Sequence, residues 1–93
     1  MSLTLKKGRN GVNFVEGDRI VGYSRIEDQG ELRYISTFEI RPEYQGRNYG
    51  RRAAQLLKKN ARRDGKELIA ADVFPSAAGF WEKCGVKYFT DTI

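Results

Sequence analysis

The chain has 93 residues, of which 40% are hydrophobic and 31% charged, and this suits one soluble globular domain with little room for a second core. One Cys and no His exclude a disulfide framework, leave no ligand set for a protein-built zinc site, and remove the commonest general base. No apolar run approaches the roughly 20 residues of a membrane span, and residues 1–10 lack a signal core. We therefore expect a cytoplasmic protein with no membrane partner.

The net charge of +5 is concentrated in one segment of the chain. Residues 1–46 carry seven basic and seven acidic side chains, whereas residues 47–66 carry eight Lys or Arg and only Asp64. Such a run is typical of a solvated helix face, and it is also what a site for a polyanion requires. Nucleic acid is one such polyanion, so a nucleic-acid-binding domain stays open as an alternative.

The first part of the chain is predicted to form strands. Leu3 and Leu5 alternate with other residues and indicate a frayed end or a short edge strand. Residues 12–16, 19–27 and 31–40 form an antiparallel meander with turns at 17–18 and 28–30. Strict alternation places two sets of residues each on one face: Ile20, Gly22, Ser24 and Ile26 in the second of these strands, and Leu32, Tyr34, Ser36, Phe38 and Ile40 in the third.

Two helices and two short strands are expected to follow. The spacing of Ala53, Leu56, Leu57 and Ala61 predicts a helix over residues 49–64, with Asn48 as its N-cap. Residues 68–73 form a buried strand, and a right-handed crossover makes it parallel to the strand at 31–40. A second helix covers residues 77–84 with Ser76 as its cap, and residues 86–90 form the last strand.

Residues 39–59 join a strand end to the basic helix through a turn that contains Gly46 and Gly50. The start of a helix offers unpaired N–H groups and a favourable dipole to an anion, and glycine lets the backbone approach a ligand closely. The motifs G-x-x-x-x-G-K-[ST] and G-x-G-x-x-G are both absent from the sequence. The turn nevertheless predicts a phosphate site, because three basic residues surround the helix start: Arg47, Arg51 and Arg52.

The sequence Gln45-Gly46-Arg47-Asn48-Tyr49-Gly50 resembles the Gln/Arg-x-x-Gly-x-Gly/Ala signature of GNAT-type N-acetyltransferases. The preceding Ile40-Arg41-Pro42 is similar to the strand ending common in that family. Residues 80–89, FWEKCGVKYF, resemble its closing motif, Phe-Tyr-x-Lys-x-Gly-Phe. Asn48 departs from the pattern, since the family usually has Gly there, but Asn tolerates a positive φ better than most residues.

The resemblance implies an α/β (α+β) fold in a single domain over residues 1–93. This fold has a mixed, mostly antiparallel central sheet, a β-α-β acetyl-CoA-binding core and a second, short C-terminal helix. Acetyl-CoA is then the co-substrate, no metal is needed, and the acetyl group passes directly to a primary amine. The implied cofactor-binding residues are Phe38, Glu39 and Ile40, acting through backbone atoms, with Gln45, Gly46, Arg47, Asn48, Tyr49, Gly50, Arg51 and Trp81.

In the family, the strand before the turn splays from its neighbour and polarises the acetyl oxygen. Glu39 and Glu31 are candidate general bases, because both lie on that strand. The Tyr that often protonates the leaving thiolate is matched here by Trp81, whose indole N–H cannot act as a general acid, and Tyr88 is the alternative. Cys84 is expected to be a buried core thiol rather than a nucleophile.

The length of the chain also departs from the family pattern. The family usually begins with a strand and two helices that form one wall of the acceptor site, whereas only about thirty residues precede the long strand here. The acceptor site is then open and suits a protein or peptide amine, or a homodimer supplies the wall. The third possibility is a module that binds coenzyme A without transferring an acetyl group.

Overall fold

The computed structural model describes residues 2–90; Met1 and residues 91–93, the ends of the domain predicted over 1–93, lie outside this range. The strands are β1 Leu3–Lys7, β2 Gly11–Glu16, β3 Arg19–Gln29, β4 Leu32–Ile40, β5 Glu67–Val73 and β6 Lys87–Thr90, and the helices are α1 Tyr49–Arg63 and α2 Ala78–Cys84. Single 3₁₀ turns at Pro42–Tyr44 and Pro75–Ala77 precede the two helices.

The strands form one sheet whose spatial order follows the chain, from β1 to β6. β1 to β4 are antiparallel neighbours, whereas β4, β5 and β6 are parallel. The parallel pairs need crossover connections, and α1 and α2 provide them. The predicted mixed, mostly antiparallel sheet with a β-α-β unit and a short second helix is confirmed, and β1 is the edge strand expected near Leu3.

Both helices pack on one face of the sheet and share a single hydrophobic core. α1 buries small residues beside one large one, because alanine allows the helix to approach the strands closely: Ala53, Ala54, Leu57 and Ala61. α2 contributes Trp81 and Cys84, and the sheet contributes Phe14, Val21 and Ile35. Burying one side chain of the size of Leu57 contributes roughly 2–3 kcal/mol.

Two β-bulges overturn the predicted faces of the long strands. Phe14 pairs with Gly22 and Val15 with Ile20, so Val21 is an extra residue on β3, and Ile20 points away from the helices. Arg25 pairs with Thr37 and Ile26 with Ile35, so Ser36 is an extra residue on β4. Strict alternation was therefore wrong, because a bulge shifts the side-chain parity by one residue. The helix-facing residues of β4 are Arg33, Ile35, Phe38 and Ile40.

Of the local predictions at the helices, the N-cap residue of α1 is confirmed and that of α2 is wrong. Asn48 occupies the N-cap position of α1 with φ of 66°, but its side chain makes no capping hydrogen bond. α2 begins at Ala78 with Ala77 as N-cap, because Pro75 starts a 3₁₀ turn that contains Ser76. Leu56 is half-buried and packs against the core, and Ala54, which was not predicted there, is fully buried.

Candidate functional site

The structure opens a cleft where β4 and β5 separate. Their parallel pairing runs from Leu32 opposite Glu67 to Ile35 opposite Ala70 and then stops. The separation coincides with irregularities on both strands, since Ser36 is the bulge residue of β4 and the register of β5 against β6 shifts between Ala70 and Val73. Bulges bend a strand and end its pairing locally, so they account for the divergence.

The cleft has a volume of about 500 Å³. Its apolar wall is an aromatic cluster, in which the ring of Phe38 lies 4.9 Å from Trp81 and 5.7 Å from Phe80. Phe74 stands at the same cleft and is 75% exposed. The lining residues are Ile35, Ser36, Thr37, Phe38, Ile40, Gln45, Gly50, Ala70, Ala71, Asp72, Val73, Phe74, Ala77, Phe80 and Trp81.

The backbone of β4 is held on one edge and open on the other beyond Ile35. On the β3 side, Ser24 pairs with Phe38, and Gly22 pairs with Ile40. The buried hydroxyl of Ser24 also donates to the carbonyl of Thr37 at 2.7 Å, next to the bulge. On the β5 side, residues 36–40 have no ladder partner among residues 2–90. Backbone groups on that edge are therefore available to an extended ligand.

The glycine turn closes one end of the cleft. Gly46 has φ of 79° and Asn48 has φ of 66°, so two left-handed residues turn the chain into α1. The side-chain amide of Gln45 donates to the carbonyl of Ile40 at 2.8 Å and fixes the turn to the end of β4. In the first hydrogen bond of α1, the backbone N–H of Arg52 donates to the carbonyl oxygen of Asn48. The preceding N–H groups at the helix start thus have no intrahelical acceptor and can bind an anion.

Tyr49 and Arg52 hold the helix rather than face the cleft. The Tyr49 hydroxyl donates to Glu16 on β2, and Arg52 lies 3.4 Å from the same carboxylate and 5.2 Å from the Tyr49 ring centre. This hydrogen bond lowers the pKa of Glu16, which accepts it, and raises the pKa of Tyr49, which donates it. The side chains of Tyr49 and Arg52 tie α1 to the sheet, so the predicted ligand role of Tyr49 is left to its backbone.

The other basic side chains of the turn remain exposed. Arg47 and Arg51 form no ion pair with a carboxylate of residues 2–90. Arg51 also lines a groove of about 510 Å³ beside α1, together with Asn48 and Lys59. This arrangement leaves positive charge next to the free N–H groups of the helix start, where an anionic ligand is favoured.

Gly50 and Trp81 are both found at the cleft, in roles set by packing. A Cβ on Gly50 would stand 3.4 Å from the Phe80 ring, which is an ordinary contact distance, so Gly50 lies against α2. Trp81 is 5% exposed and packs edge-on against Phe38 and Phe80. Its ring belongs to the floor of the cleft, and its indole N–H offers no acid–base chemistry.

The three candidate acid–base residues are not among those that line the cleft. Glu31 lies in the β3–β4 turn, before the paired end of β4, and Glu39 pairs with Tyr23 on the face away from the helices. The hydroxyl of Tyr88 donates to Glu82 on α2, and this bond raises the pKa of Tyr88. Strand pairing and the bulge thus direct these three groups away from the cleft.

Asp72 is the titratable residue that the structure places at the cleft and that sequence reasoning missed. It is the sole Asp, Glu, Lys, Arg, Tyr or Cys among the described residues that line the cavity. Its φ of 54° is left-handed. Such backbone in a residue other than glycine is uncommon and often marks functional sites. The only sequence signal was an acidic residue inside an otherwise apolar strand, LIAADV.

The structure also shows the surroundings of Cys84 and the distribution of residues that could bind a metal. Cys84 is 3% exposed, and burial raises the pKa of its thiol, so the expected core thiol is confirmed. Within residues 2–90, no three His, Cys, Asp or Glu side chains cluster as metal ligands would. None of the helices in that range combines the length and the apolarity needed to cross a bilayer.

Comparison with known proteins adds independent findings. A crystal structure of a Bacillus subtilis acetyltransferase in complex with CoA is similar to this chain with a TM-score of 0.68 at 15% identity. The likeness covers 82% of this chain and 54% of that chain, so this chain spans about half of the other's length and shares its fold. No match was found among curated proteins. The family model for the acetyltransferase (GNAT) family matches residues 4–86, and the chain therefore belongs to that family.

Proposed function

We propose that this protein is an acetyl-CoA-dependent N-acetyltransferase that acts on a primary amine. The observation that carries the proposal is the continuity of one surface. The open edge of β4 leads along the cleft to the glycine turn and the start of α1. An extended pantetheine arm suits the first part, and a pyrophosphate suits the second. Membership of the family supports the same assignment.

The chain offers suitable groups along the whole length of such a ligand. Backbone groups of residues 36–40 can pair with the amides of the arm, because β5 does not occupy that edge. The turn at Gly46 and the first N–H groups of α1 can accept the pyrophosphate, with Arg47 and Arg51 adding charge. Phe38, Phe80 and Trp81 provide an apolar wall that excludes water from one side of the cleft.

Acetyl-CoA supplies an activated thioester carbonyl. The amine nitrogen forms a bond to the carbonyl carbon, the carbon–sulfur bond breaks, the nitrogen loses a proton and the sulfur gains one. We assign the acceptance of the amine proton to the carboxylate of Asp72, directly or through one water molecule, because it is the titratable group at the cleft. No phenol of residues 2–90 lines the cleft, so water protonates the departing thiolate.

A second candidate function is coenzyme A binding without transfer. It is favoured by one observation, namely that Trp81 replaces the expected phenol while Tyr88 is bonded to Glu82 instead. The two functions share the binding step and differ in turnover. Release of free thiol from acetyl-CoA in the presence of an amine, above the rate with enzyme alone, would exclude the second candidate.

The binding step can be tested by calorimetric titration with acetyl-CoA. Gly46→Glu places a carboxylate beside the bound phosphates, so we expect an affinity at least about a hundredfold lower. Gly30→Glu is the matched control, because Gly30 and Gly46 both have positive φ, and a Cβ on either would meet nothing within 4 Å. Both variants place a residue other than glycine at a positive φ and add the same charge. Equal binding by the two variants, or none by the unmodified protein, would overturn the proposed function.

A further inference from the structure

A second cavity lies on the face of the sheet that is turned away from the helices. It has a volume of about 340 Å³ and is formed where the β1–β2 connection meets the middle of β3 and β4. Its lining residues are Gly8, Arg9, Asn10, Gly11, Val12, Asn13, Tyr23, Ser24, Arg25 and Thr37. Thr37 is the one residue of the described chain that lines both this cavity and the cleft between β4 and β5.

Strand pairing explains why these residues meet. Gly11 pairs with Arg25, and Arg25 pairs with Thr37, so the three form one row across β2, β3 and β4. Cross-strand partners share a face of the sheet, which puts the side chains of Arg25 and Thr37 on the same side. A Cβ on Gly11 would stand only 2.0 Å from the carbonyl oxygen of Ser24, so glycine is required for this close approach at the cavity.

The cavity carries positive charge without an internal partner. Arg9 and Arg25 are the only charged residues of the described chain that line it, and both are exposed. Neither forms an ion pair with a carboxylate of residues 2–90. The acidic residues in the strands on the same face are Glu39, in the row of Tyr23, Glu27, in the row of Tyr34, and Glu67, in the row of Leu32, and none of them lines the cavity. The cavity therefore favours an oxyanion.

We propose that this cavity is the acceptor site, and that the acceptor is a small primary amine that also carries a carboxylate or phosphate group. The inference rests on the proposed acetyl transfer and specifies its substrate class. Thr37 marks the position where a molecule in the cavity reaches the thioester in the cleft. The amine end of the acceptor lies at Thr37, and its anionic end lies between Arg9 and Arg25. A guanidinium binds either oxyanion through two parallel hydrogen bonds.

The first test measures binding and requires no turnover. Backbone amide shifts of ¹⁵N-labelled protein are followed during titration with β-alanine, O-phosphoethanolamine and ethanolamine, which share a primary amine and differ in charge. We expect the amide shifts of residues 8–13 and 25 to occur at an about tenfold lower concentration of β-alanine or O-phosphoethanolamine, which carry an acidic group, than of ethanolamine. Arg25→Gln and Arg9→Gln should remove that preference. Equal titration by all three amines, or shifts confined to other residues, would overturn the inference.

The second test measures kcat/KM with acetyl-CoA and the same three amines. We expect at least one anionic amine to exceed ethanolamine by about tenfold or more, and we expect Arg25→Gln to abolish the difference. The comparison of kcat/KM between β-alanine and O-phosphoethanolamine shows whether the site prefers a carboxylate or a phosphate. Arg19→Gln is the matched control, because Arg19 is an exposed arginine of the same strand that does not line the cavity. It should keep the preference of the unmodified protein.

The two proposals fail in different ways. Turnover that is equally fast with ethanolamine and with the two amines that carry an acidic group would overturn the acceptor class and leave the transferase function intact. Failure to bind acetyl-CoA in the calorimetric titration would remove the proposed function, and the amide shifts would still decide whether the cavity binds oxyanions. Retention of the anion preference in both Arg25→Gln and Arg9→Gln would show that these two residues do not form the site.

Discussion

The two ends of β4 differ in what their polar groups contact. At its first end, from Leu32 to Ile35, the strand pairs with β3 on one edge and with β5 on the other. At its second end, from Ser36 to Ile40, the β5 edge is open among the described residues. The bulge at Ser36 separates these ends. One inserted residue therefore divides the half of β4 that is paired on both edges from the half whose open edge is available to a ligand.

The arginine side chains near the two ends of β4 differ in the same way. Arg33 at the paired end is 7% exposed and lies 2.7 Å from Asp28 and 3.0 Å from Asp64, with a further hydrogen bond to Asn60. The hydrogen bond to Asp28 raises the pKa of Arg33 and lowers the pKa of Asp28. At the open end, Arg47 and Arg51 lack such partners within residues 2–90. Stability and ligand binding should therefore respond to different substitutions.

The largest expected effect is on turnover at the open end. Asp72→Asn keeps the shape and tolerates the positive φ, but it cannot accept a proton, so kcat should fall by about a hundredfold or more. The measurement is thiol release from acetyl-CoA at saturating amine. Asp72→Gly, which also tolerates the backbone, should show the same loss, and acetyl-CoA affinity should change little in both. Full activity in Asp72→Asn would refute the assignment of Asp72 as the base.

At the paired end, Arg33→Met should lower the free energy of unfolding by about 2 kcal/mol, since it removes several charge-assisted hydrogen bonds. The loss stays below that of a fully buried pair, because the side chains of Asp28 and Asp64 are 41% and 38% exposed and water can solvate them. Urea unfolding measures the effect. Acetyl-CoA affinity should remain within about twofold of the unmodified protein at temperatures where the variant is folded. A large loss of affinity would mean that the two ends are coupled.

A smaller effect is expected from Gln45→Ala, which removes the bond that fixes the glycine turn to Ile40. One such hydrogen bond contributes about 1 kcal/mol, so acetyl-CoA should bind about fivefold more weakly. Gln29→Ala is the matched control at the paired end, because Gln29 is exposed at the end of β3 and its side chain makes no hydrogen bond within residues 2–90. If both substitutions weaken binding equally, the turn is not held by Gln45.

The smallest expected effect is the pH dependence of stability that Asp28 contributes at the paired end. The folded-state pKa of Asp28 is lowered, chiefly by its hydrogen bond from Arg33, so the unfolded state binds more protons in acid. The contribution of Asp28 is complete above its ordinary pKa of about 4 and is lost as the pH falls through the lowered folded value. Urea unfolding between pH 3 and 7 should show the unmodified protein and Asp28→Asn converging in acid. A constant difference would contradict this origin.

Much of the architecture could be predicted from local pattern. The strand and helix periods and the left-handed tolerance of Asn48 depend on neighbours within a few residues, so the order of elements and the turn before α1 were correct. The basic character of that helix start was visible for the same reason. The outward orientation of Ile20 and Ser36 could not be predicted, because each bulge depends on pairing with a strand elsewhere in the sequence.

The sequence by itself determined which elements form, in what order, and where a flexible glycine turn meets a positively charged helix, because these depend on side-chain period, backbone freedom and local charge. Only the tertiary structure decided which side chains line the cleft. It directs Glu39 to the far face, ties Tyr88 to Glu82 and brings Asp72 to the cleft. Those positions follow from strand register and bulges, which arise when distant segments pair and cannot be read from any one segment alone.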